Sequence, residues 1–391
     1  MIPRPRATSS LFALVLLALA PLGACQKPPP PPPAPTAPPA PKVAPPPAAP
    51  ASVSGQTEPD CVGPFTETGP ATVLKIGPHS YKEQGATLTV TDPDPDTKVV
   101  FGVIANLLEG TGENLFNLRR YLAFFAQAKA EAILVAGDTG ETREDTMQTL
   151  EPLAKSGLPV FVIPGNREGR VTFRAALAAV SARYPNVVDM TRIRLVRFDD
   201  ASIVSLPGYY DKRFIYQGAG GCQYFKQDVD ALAPIVAAAT QPVVLLSHAE
   251  PYGHGHEAID AFEDGNAGDA NLTAFLRTHA VPFGIGANIQ EAGGRATDLD
   301  SNLIREDTLA PRLYLNPGLA DSTPWRLNDG TWSNGMAATL TIDGQQASYH
   351  SFRLPKLTDA EEAEAKKLAP PPAAVPAMAP SPQAPPAKAH P

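Results

Sequence analysis

The chain has 391 residues, with 32 basic and 40 acidic side chains giving a formal charge of −8, and it holds 45 prolines and three cysteines. A negative balance with no basic cluster argues against nucleic acid as a partner, because such binding rests on Lys and Arg displacing counterions from phosphates. The prolines crowd toward the two ends, which leaves about 300 central residues to bury a core, enough for one large domain.

At the amino end Arg4 and Arg6 precede an apolar run from Leu11 to Ala20, closed by Leu22-Gly23-Ala24-Cys25. This order reads as a signal peptide over residues 1–24, too short to span a bilayer afterwards. The closing tetrapeptide resembles the bacterial lipobox, which implies that Cys25 becomes the acylated first residue of the mature chain; ordinary secretion with an incidental Cys is the alternative. Gln26 follows Cys25. By the enteric sorting rule, the absence of Asp there directs the protein to the outer membrane, facing the periplasm.

From Lys27 to about Pro50 the chain is nearly all Pro and Ala, with prolines unbroken from Pro28 to Pro33. Residues 25–60 therefore read as a lipid-bearing Cys followed by a stiff polyproline II spacer, and at about 3.1 Å per residue they hold the body on the order of 100 Å from its lipid. Once Cys25 is acylated, Cys61 and Cys222 remain, an even pair in an oxidising compartment. A disulfide between them would staple the start of the folded region to its middle; two free thiols are the alternative.

Residues 61–96 read as a separate hairpin-like extension, with apolar alternation in Val73 to Ile76 and Thr87 to Val90. Then the pattern becomes regular. Val99 to Ala105 is a continuous apolar run, and Leu115, Leu118, Leu122 and Phe125 recur at helical spacing, so a strand is followed by a helix. The unit repeats as a strand over Ala132 to Ala136, a helix near Asp145 to Lys155, a strand over Pro159 to Ile163 and a helix through Phe173 to Arg183. Shorter β segments follow at Ile193 to Phe198 and Ser202 to Pro207, then a helix around Val229 to Ala239 and a buried strand over Pro242 to Ser247. Late strands at Arg312 to Leu315, Ala338 to Ile342 and Ala347 to Arg353 close the domain. Residues 355–391 return to Pro and Ala behind a short charged, helix-compatible piece, Asp359 to Lys367, and are expected to be disordered. Alternating strands and helices imply parallel βαβ units, which place functional residues on loops at the carboxyl ends of strands.

Four strand ends carry polar motifs: Gly137-Asp138-Thr139-Gly140, Pro164-Gly165-Asn166-Arg167-Glu168, Ser247-His248-Ala249-Glu250-Pro251 and Tyr314-Leu315-Asn316-Pro317-Gly318. In this order they resemble the calcineurin-like metallophosphoesterases over about Thr97 to Leu354. The resemblance implies an α/β fold, a four-layer α/β/β/α sandwich over residues 97–354, and a hydrolase chemistry in which two metal ions about 4 Å apart clamp a phosphate and activate a bridging water. The family's bridging Asp falls on Asp138, its Asn ligand on Asn166 and the His of its Ser-His loop on His248.

The other positions are changed. The family's Asp-x-His falls on Asn106-Leu107-Leu108, so a carboxylate has become an amide and an imidazole has become a side chain with no lone pair. Its Gly-Asn-His, whose His is the general acid, falls on Gly165-Asn166-Arg167, and arginine keeps its proton at every accessible pH. Its Gly-His-x-His falls on Ala287-Asn288-Ile289-Gln290. Amide oxygens are weak ligands beside imidazole or carboxylate, so metal affinity should collapse.

Glu109, Glu168, Glu250, His254 and His256 lie near these loops and offer a rescue of a single ion with Asp138 and His248. The reading adopted is that the glutamates are solvated and that Gly253 to His256 is an exposed loop. Arg167 reads either as an ion-pair partner of Asp138, the preferred assignment, or as a clamp for a phosphate or carboxylate. The implied function is a non-catalytic binding or scaffold lipoprotein with no metal cofactor, held to the membrane by its lipid and facing an unidentified protein or envelope partner. The alternatives are a phosphoesterase with a rearranged or single-metal site using Mn, Fe or Zn, and a metal-free anion-binding module built on Arg167.

Overall fold

The computed structural model describes residues 61–263 and 265–370. The expected signal peptide at 1–24, Cys25 with the expected spacer to residue 60, and residues 371–391 lie outside the described residues.

In chain order the described part begins with β1 (Thr72–Ile76), β2 (His79–Gln84), β3 (Thr87–Val90) and β4 (Lys98–Ile104). Helices then alternate with strands: α1 (Gly112–Gln127), β5 (Ala132–Ala136), α2 (Arg143–Ala154), β6 (Val160–Ile163), α3 (Arg170–Arg183) and β7 (Val187–Asp189). The second half holds β8 (Leu195–Arg197), β9 (Ser202–Leu206), α4 (Lys226–Asp230), α5 (Leu232–Ala238) and β10 (Val243–Ser247). A short hairpin of β11 (Ala261–Phe262) and β12 (Gly265–Asn266) precedes α6 (Ala270–Thr278), β13 (Phe283–Ile285), β14 (Arg295–Thr297), β15 (Leu303–Ile304) and β16 (Leu313–Asn316). The chain closes with a second hairpin of β17 (Trp325–Arg326) and β18 (Trp332–Ser333), then β19 (Met336–Asp343), β20 (Gln346–Arg353) and α7 (Asp359–Ala365).

The strands assemble into two large sheets. One has six strands in the order β20-β19-β4-β5-β6-β7, with β4 through β7 parallel. The other has ten, β1-β2-β3-β8-β9-β10-β13-β16-β14-β15, with β9, β10, β13 and β16 parallel. Side chains of a strand alternate between faces, and here that period-2 rule sorts the core. Phe101 and Val103 of β4, Leu134 of β5 and Phe161 of β6 meet Val244 and Leu246 of β10 between the sheets. The intervening Ile104, Ile133, Val135 and Val162 face α1, α2 and α3 on the outside. Val243 and Leu245 of β10 face a third cluster that includes Ile235 of α5 and Leu272 of α6. The layers are helix, sheet, sheet, helix, as the sequence implied. Gly102 sits where a Cβ would lie 2.8 Å from the Phe125 ring, so a side chain there would push α1 off its sheet.

Two boundaries differ from those expected. Residues 61–96 are not a separate extension: β1, β2 and β3 form an antiparallel meander, and β3 pairs in parallel with β8, so this segment extends the ten-stranded sheet. Nor is the carboxyl segment disordered from residue 355. Thr358 caps α7 through a reciprocal pair with Glu361, and Ala365 is fully buried against Gly112 at the start of α1. The domain therefore reaches residue 370, because a few small side chains find a docking surface that composition does not reveal. The helix expected around Val229 to Ala239 is two short helices, α4 and α5. Cys61 and Cys222 are joined by a disulfide, Cα to Cα 5.5 Å, across a sequence separation of 161.

Candidate functional site

The parallel strands of both sheets end at one rim, and their loops supply the motif residues. Asn106 follows β4, Asp138 follows β5, Asn166 and Arg167 follow β6, His248 follows β10, and Asn288 follows β13. Asn106, Leu108 and Asp138 all have positive φ, 54°, 59° and 55°, so the turns after β4 and β5 bend sharply. Gly165 is required by close approach: a Cβ there would lie 2.3 Å from Asp138 Oδ1 and 2.8 Å from His248.

Three of the sequence-predicted residues meet. His248 Nδ1 lies 2.7 Å from the Ala136 carbonyl oxygen, which ties the two sheets together across the rim. Its other nitrogen, Nε2, lies 3.1 Å from Asn166 Oδ1 and 3.6 Å from Asp138 Oδ1. Asn166 cannot turn its amide around, since Nδ2 donates to the Phe214 carbonyl at 2.8 Å. The Asn288 side chain donates from Nδ2 to Tyr209 Oη at 2.9 Å. Burial lowers the His248 pKa, partly offset by its bond to Ala136, while burial raises that of Asp138 to about 6 against the Arg167 contacts that lower it.

Arg167 holds the remaining side of Asp138. Its backbone N–H donates to Asp138 Oδ1 at 3.0 Å, and its Nε lies 3.6 Å from Oδ2. The ion pair expected from the sequence is thus present. The guanidinium also donates to Glu141 Oε1 at 2.7 Å and to Tyr216 Oη at 3.2 Å, and its carbon lies 4.3 Å from the centre of the Tyr216 ring. Asn106 is fully buried, with Nδ2 donating to the Ala287 carbonyl at 2.6 Å. Leu108 is half-buried and carries no donor, and Gln290 opens a short 3-10 turn.

The glutamates overturn one expectation. Glu109 is exposed, as are His254 and His256, but Glu168 and Glu250 are buried rather than solvated. Glu168 accepts from Thr139 N at 2.6 Å and Gly165 N at 2.9 Å, so its carboxylate braces the Asp138 loop against the Asn166 loop. Burial, reinforced by the charge of Asp138, pushes its pKa up to about 7. Glu250 accepts from Ile289 N at 2.8 Å and from Asn316 Nδ2 at 3.2 Å, bracing the Asn288 loop, and burial raises its pKa well above the carboxylate range. These acids occupy loop-bracing positions because backbone N–H groups converge there and cannot be left unpaired. Glu141, Tyr209, Phe214 and Tyr216 were not anticipated; the last three come from a loop between β9 and α4 that carries no motif.

Two stacked sheets with polar loops at one rim define an α/β sandwich of the phosphoesterase type. Residues 101–281 match the model of the calcineurin-like phosphoesterase family, so the chain carries a domain of that family. A comparison with curated proteins finds no match. Among solved structures, the chain is similar to TT1561 of Thermus thermophilus, with 14% identity, 66% of this chain and 99% of that chain covered, and a TM-score of 0.45. It is also similar to a dimetal phosphatase from Danio rerio, with 13% identity, 67% and 100% covered, and a TM-score of 0.41. A third likeness is to GAP50, the anchor in the inner membrane complex of Plasmodium, with 10% identity, 71% and 96% covered, and a TM-score of 0.38.

The donors present do not fit a pair of dications. Asp138 is the one carboxylate at the family's ligand positions, and it is already paired with a guanidinium. The first-strand loop offers one amide and no imidazole.

Proposed function

We propose that this chain is a periplasm-facing lipoprotein, anchored through Cys25, whose phosphoesterase domain serves as a non-catalytic binding or scaffold unit for another envelope component. The observation that carries this reading is Arg167 on Asp138, Nε to Oδ2 3.6 Å. Phosphoester hydrolysis in this family asks that carboxylate to bridge two dications and asks position 167 to protonate the leaving alcohol. A guanidinium repels the first and cannot perform the second. Its nitrogens are also committed to Glu141 and Tyr216, which weighs against a metal-free anion clamp.

One observation favours a single-ion phosphoesterase as the second reading. The Ala136 carbonyl makes His248 Nδ1 the protonated nitrogen, so a neutral ring turns a lone pair at Nε2 toward the oxygens of Asn166 and Asp138. Such a convergence is resolved either by a second proton on the ring or by one bound cation.

Metal analysis with activity assays separates the readings. The purified, untagged chain is expected to hold no pair of metals and to hydrolyse neither phosphomonoesters nor phosphodiesters above background with added Mn²⁺, Fe²⁺ or Zn²⁺. Loss of the acid alone costs about 10²- to 10⁴-fold in rate. Two metals per chain, with turnover abolished by Asp138→Ala or His248→Ala, would overturn the proposal. One metal lost in His248→Ala, with turnover lost alongside it, would establish the second reading instead.

A further inference from the structure

We infer that Glu306, Asp307 and His350 form a binding site for one divalent transition-metal ion of the zinc class, built from residues outside the phosphoesterase loops. His350 lies on β20, the edge strand of the six-stranded sheet, and the two acids lie on the loop between β15 and β16. His350 Nδ1 is 3.1 Å from Asp307 Oδ2 and 3.4 Å from Glu306 Oε2, and all three donor atoms lie within 4.8 Å of one another. A zinc ion with bonds of about 2.0 to 2.2 Å to nitrogen and oxygen sets its donors about 3.3 to 3.5 Å apart in a tetrahedron. The two separations from His350 are close to that spacing and the two carboxylate oxygens lie within 4.8 Å of each other, so binding needs side-chain adjustments rather than a new backbone path.

The backbone under these side chains is fixed. Asp307 N donates to the Tyr349 carbonyl at 2.9 Å, Ala310 N to the Ala347 carbonyl at 2.8 Å, and Tyr349 Oη to the Ile304 carbonyl at 3.2 Å. The loop is therefore laced to the strand that carries His350. The Phe124 ring, 6.0 Å from the imidazole centre to centre, packs beside it. One imidazole and two carboxylates are a borderline donor set that suits Zn²⁺ and its neighbours and does not suit Mg²⁺ or Ca²⁺. Two adjacent carboxylates repel each other, and a histidine offsets only one charge and only when protonated. A dication balances both at neutral pH. With Glu306, His350 and Asp307 side chains 40%, 49% and 71% exposed, the fourth ligand position opens to water or to a donor from a partner.

The test is calorimetric titration of the untagged full chain with ZnCl₂ in a non-chelating buffer near pH 7, with cobalt chloride absorption as a report on coordination geometry. One Zn²⁺ per chain is expected at this site, its affinity falling at least tenfold in Asp307→Asn and in His350→Ala and unchanged in His248→Ala. Zinc should also raise the thermal midpoint of the wild type and fail to do so in Asp307→Asn. Wild-type protein that takes up no zinc, or zinc binding that survives both Asp307→Asn and His350→Ala, overturns the site. So does binding that disappears only in His248→Ala, which would move the ion to the phosphoesterase rim. Should His350→Ala fail to fold, Asp307→Asn decides, because that side chain is exposed.

Discussion

Glu168 is a carboxylic acid sealed under the rim, and its burial sets a pH dependence with a definite sign. Its folded pKa stands at about 7, raised from 4.5, so the folded state holds the proton more tightly than the unfolded state does. Stability from this group is fully present below about pH 4.5 and is lost as pH rises through about 7. At 1.36 kcal/mol per unit, the loss is on the order of 3 kcal/mol. Glu168→Gln should abolish that slope. It should also cost baseline stability, since the amide nitrogen must face one of the N–H groups of Thr139 or Gly165. Denaturant unfolding should therefore show a penalty for Glu168→Gln larger at pH 5 than at pH 8 by roughly 3 kcal/mol; an equal penalty at both would mean that Glu168 is ionised throughout. The sequence did expose Asp138, Asn166 and His248, because each sits at the end of an apolar run. It hid Glu168 and Glu250, since a glutamate beside Gly, Arg or Pro reads as solvated unless one can see the backbone donors from another loop that surround it.

The loop from Pro207 to Phe225 is the element that finishes the rim. Phe214 accepts from Asn166 through its carbonyl, Tyr216 accepts from Arg167, and Tyr209 accepts from Asn288. Tyr209 N in turn donates to the Cys222 carbonyl at 2.9 Å, next to the Cys61–Cys222 bridge, so the disulfide fastens the base of the loop. A link closing so long an interval stabilises the fold by about 4 kcal/mol, chiefly by restricting the unfolded chain. Reducing it, or replacing both cysteines by Ser, should lower the unfolding free energy by about that amount. Amide exchange should accelerate in residues 209–221 more than in β4 to β6. A double Ser variant with unchanged stability and exchange would remove this role. Periodicity revealed β4, β5, β6 and β10, whose apolar runs are long, but not β13, which has three residues, nor β2, in which Tyr81 alone is buried. Short elements are specified by their neighbours in the sheet, and no pattern within them shows it.

At the scale of the whole molecule, the two large sheets give the chain its core. The fold can be read from the sequence because two sheets must share one core, and the period-2 split of β4, β5, β6 and β10 says so. The proposed location is a separate matter, resting on the residues around Cys25 and on a different physics. Among the described residues no helix is long and apolar enough to cross a membrane. If the lipid on Cys25 is the anchor, its acyl chains supply the membrane affinity at about 0.8 kcal/mol per buried CH₂, and the spacer up to residue 60 sets the reach. Cys25→Ala should then move the exported protein from the membrane fraction to the soluble periplasmic fraction while leaving the unfolding transition of the folded domain unchanged. Full retention of Cys25→Ala with membranes after a high-salt wash would place the anchor elsewhere. Release by that wash alone would instead assign the attachment to charged contacts with a membrane-bound partner, since salt screens exposed charges within about a nanometre and leaves acyl chains in place.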